Sequence, residues 1–514
     1  MFYFGMENDQ FTQVLTQFEF GGSEPRFDEN LFGANPHLRL IPAETVACDS
    51  KVMVLEKHTG SWCFLEPIEH EMFKALDGRM LDEVATWTPD AYKAQLPEFV
   101  ARLYWRGLLE INERRFIEAS VFDQGPIRHA GVLFVMVPTE RCNLACKYCA
   151  VKADPSRQER MEWPIAQRAM DLIIDTIPDR GLVEFAGGEA LLEIGLMERI
   201  VEYGNQSASK VGKQLEFRAQ SNGTLLTQEL LDRIKNSGIS VNVSLDGDRA
   251  SNDMTRVFPG NKGTHAAITR TIDLMHKNSY APGLICVVSK ANYRRLNKVL
   301  AHYAKLGMDW IKLNPVSRHG RATQGWDELV VEPEEFLEAH IKYLDLVLQE
   351  KCSVLDENTS MMLQILGNKV HPYRCMRSQC GTGRDFMTIA PNGDVYPCPQ
   401  TRVNPEFRLA NILEVDRLND VWKNNPIISK LSERQVGTIS KCKACNLKRF
   451  CEAGCPIASY EHFGTTDAIH PWCEYYKGIY SELFRRLGES SRLVETFCSN
   501  AKVYDYSFFA RNAA

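Results

Sequence analysis

The sequence lacks the long apolar runs of a membrane protein and the basic surplus of a nucleic-acid-binding protein. No apolar stretch reaches the ~18 residues that a helix needs to span a bilayer. The stretch from Met1 to Asp9 contains no basic segment followed by an apolar one, so a secretion signal is not expected. Lys and Arg number 60 against 66 Asp and Glu, which gives a net charge of −6. We therefore expect a cytoplasmic protein with no nucleic-acid or membrane partner.

Cysteine, by contrast, is abundant and unevenly placed. The chain has 514 residues, enough for about three domains, and 16 of them are cysteines. Eleven cysteines fall between Cys142 and Cys149 or between Cys375 and Cys473. In a cytoplasmic chain this count argues against a disulfide framework and favours metal or redox chemistry.

The first cysteine group has the spacing C-x3-C-x2-C and follows the apolar run 132–137 directly. Three thiolates spaced so closely can bind one cubic [4Fe–4S] cluster from a single loop. Because the cube has four irons, one iron then has no protein ligand and is open to a small molecule. A zinc knuckle and reduced structural thiols are the alternatives at this point.

Cys142, Cys146 and Cys149, with Tyr148 before the last of them, resemble the signature of the radical S-adenosylmethionine (radical SAM) superfamily. The resemblance implies that the amino and carboxylate groups of S-adenosylmethionine (SAM) bind the open iron. It also implies reductive cleavage of SAM to a 5′-deoxyadenosyl radical, which removes hydrogen from unactivated carbon.

Strand and helix patterns alternate from about residue 128 to residue 350. Strands are predicted to begin near Val132, Leu182, Leu215, Val241, Gly283 and Trp310. Helices are predicted to begin near Pro164, Ala190, Thr227, Thr264, Asn292 and Glu332. Six such units predict an α/β fold with a parallel sheet, right-handed crossovers and ligands at the carboxyl ends of the strands. Six units rather than eight leave the barrel incompletely closed, as in the partial (β/α)6 TIM-like barrel that the resemblance implies.

Polar motifs follow the later strands in the order typical of the radical SAM family. They are Gly187-Gly188-Glu189 after the second strand, Ser221-Asn222 after the third, and Ser244-Leu245-Asp246 after the fourth. Ala190 stands where the family usually has proline, so the path of that loop is open. The resemblance assigns SAM contacts to Tyr148, Gly187, Gly188, Glu189, Ser221, Asn222, Ser244, Asp246 and Arg256.

The second cysteine region, within 370–480, resembles the SPASM domain of peptide- and protein-modifying radical SAM enzymes. Its pattern is C-x12-G-x4-C followed by C-x2-C-x5-C-x3-C and a trailing cysteine, and Gly393 is predicted to turn a hairpin. The resemblance implies two auxiliary [4Fe–4S] clusters, three clusters in all. The first would bind Cys380, Cys398 and Cys455, and the second Cys442, Cys445, Cys451 and Cys473. Cys375 either closes the first of these clusters or leaves it with an open iron.

The N-terminal part, 36–115, has a hairpin pattern around 57–60, three helical patterns, the third of them from Tyr92 to Arg106, and a closing strand at 108–111. This order resembles the PqqD-like, winged-helix α+β domain that serves as a recognition element for ribosomally made, modified peptides (RiPPs). The family binds a precursor's leader as an added strand. An unrelated structural cap is the alternative. We expect a loose or docking segment at 1–35 and a C-terminal tail at 481–514.

Together these features predict a radical SAM/SPASM oxidoreductase that cross-links or oxidises a precursor peptide bound through its leader. The alternatives are a protein maturase of the anaerobic sulfatase type and, in another class, a non-catalytic electron-transfer protein. A ferredoxin or flavodoxin is the expected electron donor. Asp385, five residues after Cys380, is a candidate catalytic base on position alone; a surface carboxylate is the alternative.

Overall fold

The computed structural model describes residues 27–48, 50–116, 132–368, 375–383, 385–423 and 425–499. The predictions for 1–26, 117–131, 369–374 and 500–514 therefore lie outside the described residues.

A ten-stranded sheet forms the centre of the structure. In chain order its strands are β7 Val132–Met136, β8 Arg180–Phe185, β9 Gln214–Ser221, β10 Ser240–Ser244, β11 Leu284–Val288, β12 Trp310–Pro315, β13 Leu355–Asp356, β14 Phe386–Ile389, β15 Asp394–Tyr396 and β16 Ala410–Asn411. The spatial order is β13-β12-β11-β10-β9-β8-β7-β14-β15-β16. Strands β7 to β13 pair in parallel with their chain neighbours, as Val132 does with Gly181 and Ile285 with Lys312. The six predicted strands are thus adjacent and in sequence, which confirms the α/β fold with an open parallel sheet.

Helices connect these strands and cover the sheet. Their bounds are Trp163–Thr176, Ile194–Lys210, Gln228–Ser237, Arg249–Thr255, His265–Lys277, Leu296–Lys305, Trp326–Leu329, Pro333–Leu348 and Glu357–Asn368, with short 3-10 turns at Ala190–Glu193, Pro259–Asn261, Tyr293–Arg295 and Gly320–Gly325. The apolar faces of the helices pack on β-branched strand residues, as Ile272 and Leu300 do in one core with Val243. This burial orders the strand ends, where the polar motifs lie.

Local sequence signals account for the helix ends. The helix Gln228–Ser237 begins after Thr227, whose side chain accepts a hydrogen bond from the backbone N–H of Leu230 at 3.2 Å. It ends at Gly238, whose φ of 72° is a left-handed conformation that glycine adopts without strain.

The N-terminal unit contains two three-stranded sheets. Their strands are β1 His37–Leu40, β2 Glu44–Cys48, β3 Lys51–Glu56, β4 Ser61–Leu65, β5 Arg79–Met80 and β6 Leu109–Ile111, in the orders β5-β1-β6 and β2-β3-β4. Its helices are Glu29–Phe32, Pro67–Ala75, Leu81–Trp87, Asp90–Lys93 and Leu96–Trp105. The hairpin predicted around 57–60 is present, with Val54 opposite Cys63.

One helix of this unit differs from the prediction. The sequence predicts a continuous helix from Tyr92 to Arg106, but the structure has two helices, Asp90–Lys93 and Leu96–Trp105. Pro97 lies in the first turn of the second helix. Proline has no N–H to donate and its ring clashes with the preceding turn, so a helix can begin at this position but cannot pass through it.

The C-terminal part continues the central sheet. Strand β14 pairs in parallel with β7, and it forms the predicted hairpin with β15, in which Thr388 lies opposite Tyr396 and Gly393 turns with a φ of 86°. The remaining helices are Leu418–Lys423, Pro426–Ser432, Ser440–Lys443, Lys448–Cys451, Pro456–Phe463, Cys473–Glu489 and Arg492–Val494, with 3-10 turns at Pro399–Val403 and Pro405–Phe407 and a π turn at Glu495–Ser499.

The predicted boundary between residues 480 and 481 falls inside the helix Cys473–Glu489. The sequence pattern changes there because the cysteines end, but the buried face of the helix runs on through Leu483 and Phe484. Phe484 contacts Trp62 of the N-terminal unit, with ring centroids 5.1 Å apart. Residues 481–499 are therefore part of the folded structure, and the C-terminal helix packs through them against the N-terminal unit.

Among the residues that the structure describes, no helix combines the length and the apolar character that a bilayer crossing requires.

Candidate active site

A cavity of about 880 Å³ opens at the carboxyl ends of the parallel strands. Cys142, Cys146 and Cys149 line it, as the position of their loop directly after β7 predicts. Its wall also includes seven of the nine residues expected to contact SAM: Tyr148, Gly187, Gly188, Ser221, Asn222, Ser244 and Arg256. Motifs separated by more than 100 residues in sequence thus meet in one space.

Neighbouring loops hold the cysteine loop by its backbone. The N–H groups of Ala145 and Lys147 donate to the carbonyls of Val257 and Thr255, each at 2.8 Å. On the other side, Arg321 donates from Nη1 to the Cys146 carbonyl at 2.6 Å. These bonds leave the thiol side chains free to face the cavity.

The loop thiols fit an iron–sulfur cluster by the chemistry of their donors. Burial raises the pKa of Cys142 to about 12 and that of Cys146 to about 11. Since the thiolate is the metal ligand, these groups would lose their protons on binding iron. Among the described residues, no three His, Cys, Asp or Glu side chains are placed to hold a single metal ion. Cysteines on a cube each bind a different iron and need not converge on one point.

The glycines of the second motif allow two loops to meet. A Cβ on Gly188 would lie 2.1 Å from the Arg141 carbonyl oxygen, and one on Gly187 would lie 2.5 Å from that of Thr139. The backbone N–H of Gly188 donates to Thr139 at 2.9 Å. Only glycine permits this approach, which fixes the start of the cysteine loop.

Glu189 points into the protein. Its carboxylate accepts from the Asn222 backbone N–H at 2.7 Å and from the Ser221 hydroxyl at 2.9 Å, and burial raises its pKa. Asn222 in turn places its amide nitrogen 3.7 Å from the Cys142 sulfur. Hydrogen bonds to cluster sulfurs are one means by which proteins adjust cluster potentials. This contact was not predicted, because nothing in the local sequence pairs residue 222 with residue 142.

Asp246 is also turned away from the cavity. It is fully buried and its Oδ2 lies 3.4 Å from Nε of Arg256, while Oδ1 accepts from the Val287 backbone at 3.0 Å. The Tyr148 hydroxyl donates to the same carboxylate. Asp246 therefore orients Arg256, whose guanidinium lines the cavity and suits a carboxylate ligand.

The eight downstream cysteines separate into two groups in space. Burial and then the neighbouring thiols of Cys455, Cys375 and Cys398 raise the pKa of Cys380. Burial and then Cys473 and Cys445 raise that of Cys442 to about 11, and Cys451 neighbours the same thiols. The groups are Cys375, Cys380, Cys398 and Cys455, and Cys442, Cys445, Cys451 and Cys473. Cys375 lies with the first group, a position that the SPASM resemblance left open, and the binding of clusters by these cysteines stays a prediction.

Cys375 has a particular position in the first group. It is exposed, yet burial by surrounding protein groups raises its pKa to about 11. The two observations agree because Cys375 lines the cavity, as do Cys451 and Cys455. One cavity therefore reaches from the loop cysteines to the second cysteine region.

Asp385 lies outside the residues that line the cavity. It is 2% exposed, and its carboxylate accepts from Nη2 of Arg377 at 3.0 Å. A base has to reach the substrate, so a position outside the cavity wall gives the predicted base role no support. Polar residues that the sequence analysis did not single out, among them His319 and Glu461, line the cavity instead.

Comparison with protein families agrees with this geometry. Residues 136–302 match the radical SAM superfamily, and residues 380–446 match SPASM, an iron–sulfur cluster-binding domain. Mycofactocin maturase MftC of Mycobacterium ulcerans is 27% identical over 340 residues, which cover 65% of this chain and 85% of the relative.

Solved structures share the fold. Native anSMEcpe with bound AdoMet and Kp18Cys peptide aligns with a TM-score of 0.61 and 19% identity, over 70% of this chain and 98% of that one. Streptococcus suis SuiB bound to precursor peptide SuiA aligns with a TM-score of 0.50 and 14% identity, over 84% and 98%. The chain thus contains a radical SAM domain followed by a SPASM domain, and it is an enzyme.

The close approach at Gly188 predicts a specific defect. Gly188→Ala should displace the cysteine loop, lower the iron content of the purified protein and destabilise it by about 1–3 kcal/mol, as overpacking does. Iron analysis and thermal unfolding measure these effects.

Gly195→Ala is the matched control, because the nearest atom to its new Cβ is Arg233 Nη2 at 3.9 Å. Alanine at this helical position should leave iron content unchanged and stabilise slightly. Equal iron content in the Gly188→Ala protein would contradict the role given to the glycine contact.

Proposed function

We propose that this enzyme is a radical SAM/SPASM maturase that cross-links or oxidises a ribosomally made precursor peptide. The observation that carries the proposal is the single cavity that joins Cys142, Cys146 and Cys149 to Cys375 and Cys455. A substrate held there lies between a radical source and an electron acceptor.

We assign three [4Fe–4S] clusters. The loop cysteines would hold the first, with SAM on its open iron, and this cofactor pair supplies a 5′-deoxyadenosyl radical when bound. Cys375, Cys380, Cys398 and Cys455 would hold the second cluster, and Cys442, Cys445, Cys451 and Cys473 the third. The chain's own groups do the binding and orienting: Arg256, held by Asp246, faces the cavity for the SAM carboxylate, and the backbone of Gly187 and Gly188 shapes the wall.

A peptide substrate is supported by the open sheet and by the relatives. The parallel sheet does not close, so an extended chain can enter from the side. Both fold neighbours were solved with a bound peptide, and the neighbour bound to a precursor peptide aligns over 84% of this chain, more than the barrel and SPASM region alone span. A small ferredoxin or flavodoxin would supply the electrons, in the cytoplasm.

The N-terminal unit, 36–115, is the proposed leader-binding domain. Strand β2 is the edge of its sheet, and Glu44 to Ala47 are exposed along it, whereas the opposite edge strand β4 is buried except for Phe64. An exposed edge strand can pair with an added peptide strand. Val46, with 44% of its surface exposed, would lie beside the leader.

The peptide proposal is tested with the product of the short reading frame expected beside the gene. With SAM and a reductant, the loaded enzyme should convert this peptide to a product that has lost two hydrogen atoms, seen by mass spectrometry. Val46→Asp should weaken leader binding by up to about fivefold, since a lost cross-strand pair contributes up to about 1 kcal/mol.

Val211→Asp is the control, because Val211 is a similarly exposed valine at the end of a barrel helix. If Val46→Asp leaves leader binding unchanged, β2 is not the strand on which the leader docks. No peptide-dependent product from the unmodified enzyme would reject the peptide substrate itself.

Cys375 is the proposed fourth ligand of the first auxiliary cluster, because the structure groups it with the other three thiols. Cys375→Ala should therefore lower the iron content by about one cluster, roughly four irons per chain. Cys352→Ala, at a half-buried thiol outside both groups, should leave it unchanged. Unchanged iron in the Cys375→Ala protein would mean that the cluster has an open iron, where a substrate cysteine could bind.

A further inference from the structure

A fully buried histidine on the cavity wall has no part in the cysteine or SAM motifs. His319 has 0% of its surface exposed and follows β12, yet it lines the cavity. Within the described part of the chain, neither of its ring nitrogens makes a hydrogen bond. Buried polar groups nearly always have partners, so an imidazole left this way at a cavity wall indicates a ligand that completes it.

A carboxylate lies beside this ring. Nδ1 of His319 is 3.4 Å from Oε1 of Glu461, an ion-pair distance without hydrogen-bond alignment. Burial alone would raise the pKa of Glu461, but the adjacent His319 ring and a hydrogen bond from Asn404 outweigh it and lower that pKa. Glu461 is therefore ionised near neutral pH and lies beside the ring as an anion.

The position of the ring is set by both halves of the enzyme. The next residue, Gly320, packs so closely that a Cβ there would lie 2.2 Å from the Ala150 carbonyl oxygen, and the Arg321 N–H donates to Cys149 at 2.8 Å. Glu461 comes from the helix Pro456–Phe463, which begins directly after Cys455. The pair thus lies where the radical SAM loop and the SPASM region meet.

Few other charged groups face this pair. Arg318 precedes His319 on the same loop and acts on both Glu461 and His462. His462 follows Glu461 on its helix, and Glu332 acts on His462 from the start of the helix Pro333–Leu348. His462 instead packs edge-on against Trp326, with ring centroids 6.3 Å apart. His470, the third histidine on the cavity wall, accepts a hydrogen bond at Nδ1 from the Trp472 backbone N–H at 3.1 Å. Among the described residues, His319 is thus the cavity histidine at ion-pair distance from a carboxylate.

We propose that His319 is the catalytic base of this enzyme and that Glu461 is its positioning residue. The inference rests on the proposed function, in which the substrate loses two hydrogens for each bond formed. One leaves as a hydrogen atom and converts the 5′-deoxyadenosyl radical to 5′-deoxyadenosine. The other leaves as a proton to Nε2 of His319, and the remaining electron passes to an iron–sulfur cluster as one-electron acceptor. The new bond, the proton and the electron balance the reaction.

The test compares two products of the loaded full-length enzyme with its precursor peptide. In His319→Ala, 5′-deoxyadenosine should still form within about threefold of the normal rate, while modified peptide should fall by ~10²-fold, the lower range for a lost general base. Added imidazole should restore part of the lost product, because it can enter the space left by the ring. His462→Gln, at a neighbouring cavity histidine, should keep the normal ratio of the two products.

Glu461→Gln tests positioning. Without the carboxylate beside Nδ1 the ring is less well oriented, so modified peptide should fall by about tenfold while 5′-deoxyadenosine still forms, and Glu461→Asp should restore part of the product. Because the ring is fully buried, diethyl pyrocarbonate should acylate His319 in the loaded enzyme only slowly, and peptide bound in the cavity should slow this further. A normal product ratio in His319→Ala or in Glu461→Gln, or labelling that is indifferent to peptide, would overturn the assignment. Failure of the unmodified enzyme to act on peptide would instead reject the proposed function.

Discussion

The fixed backbone of the loop from Cys142 to Cys149 is the constraint on which the site depends. The loop brings together one buried thiol, Cys142, and two half-buried ones, and backbone bonds to residues from other strand ends, such as Val257 and Arg321, hold it in place. The glycines at 187 and 188 close the loop from a third side. The open sheet matters to function because it brings these strand ends to one edge.

Much of the site could be predicted because its signals are local. Cysteine spacing, the turn at Gly393 and the strand-end motifs each lie within a few residues, and the resemblance to SPASM implied the division of the downstream cysteines except for the place of Cys375. That the side chains of Glu189 and Asp246 point into the protein could not be predicted from local sequence, since each accepts hydrogen bonds from residues that follow or belong to other strands. His319 was not predicted as a site residue for the same reason: its role depends on its contact with Glu461, which is 142 residues away in the sequence. The helix break before Leu96 was predictable from the sequence, because Pro97 can begin a helix but cannot lie in its interior.

The C-terminal helix attaches the N-terminal unit to the rest of the structure. The N-terminal unit packs through Trp62 on the long C-terminal helix, and the Trp62 indole donates to the Leu366 carbonyl at 2.9 Å. The same helix begins at Cys473, in the second cysteine region. The strand β2, proposed to bind the leader, therefore belongs to a unit that packs on the same helix as the second cysteine region.

The most direct test of the central claim is electron paramagnetic resonance of the reduced, iron-loaded protein with and without SAM. We expect SAM to change the signal of one cluster, and we expect that signal to be absent when Cys142, Cys146 and Cys149 are all replaced by alanine while the other signals persist. A spectrum that SAM leaves unaltered, or a SAM-sensitive signal that survives the triple replacement, would contradict the account.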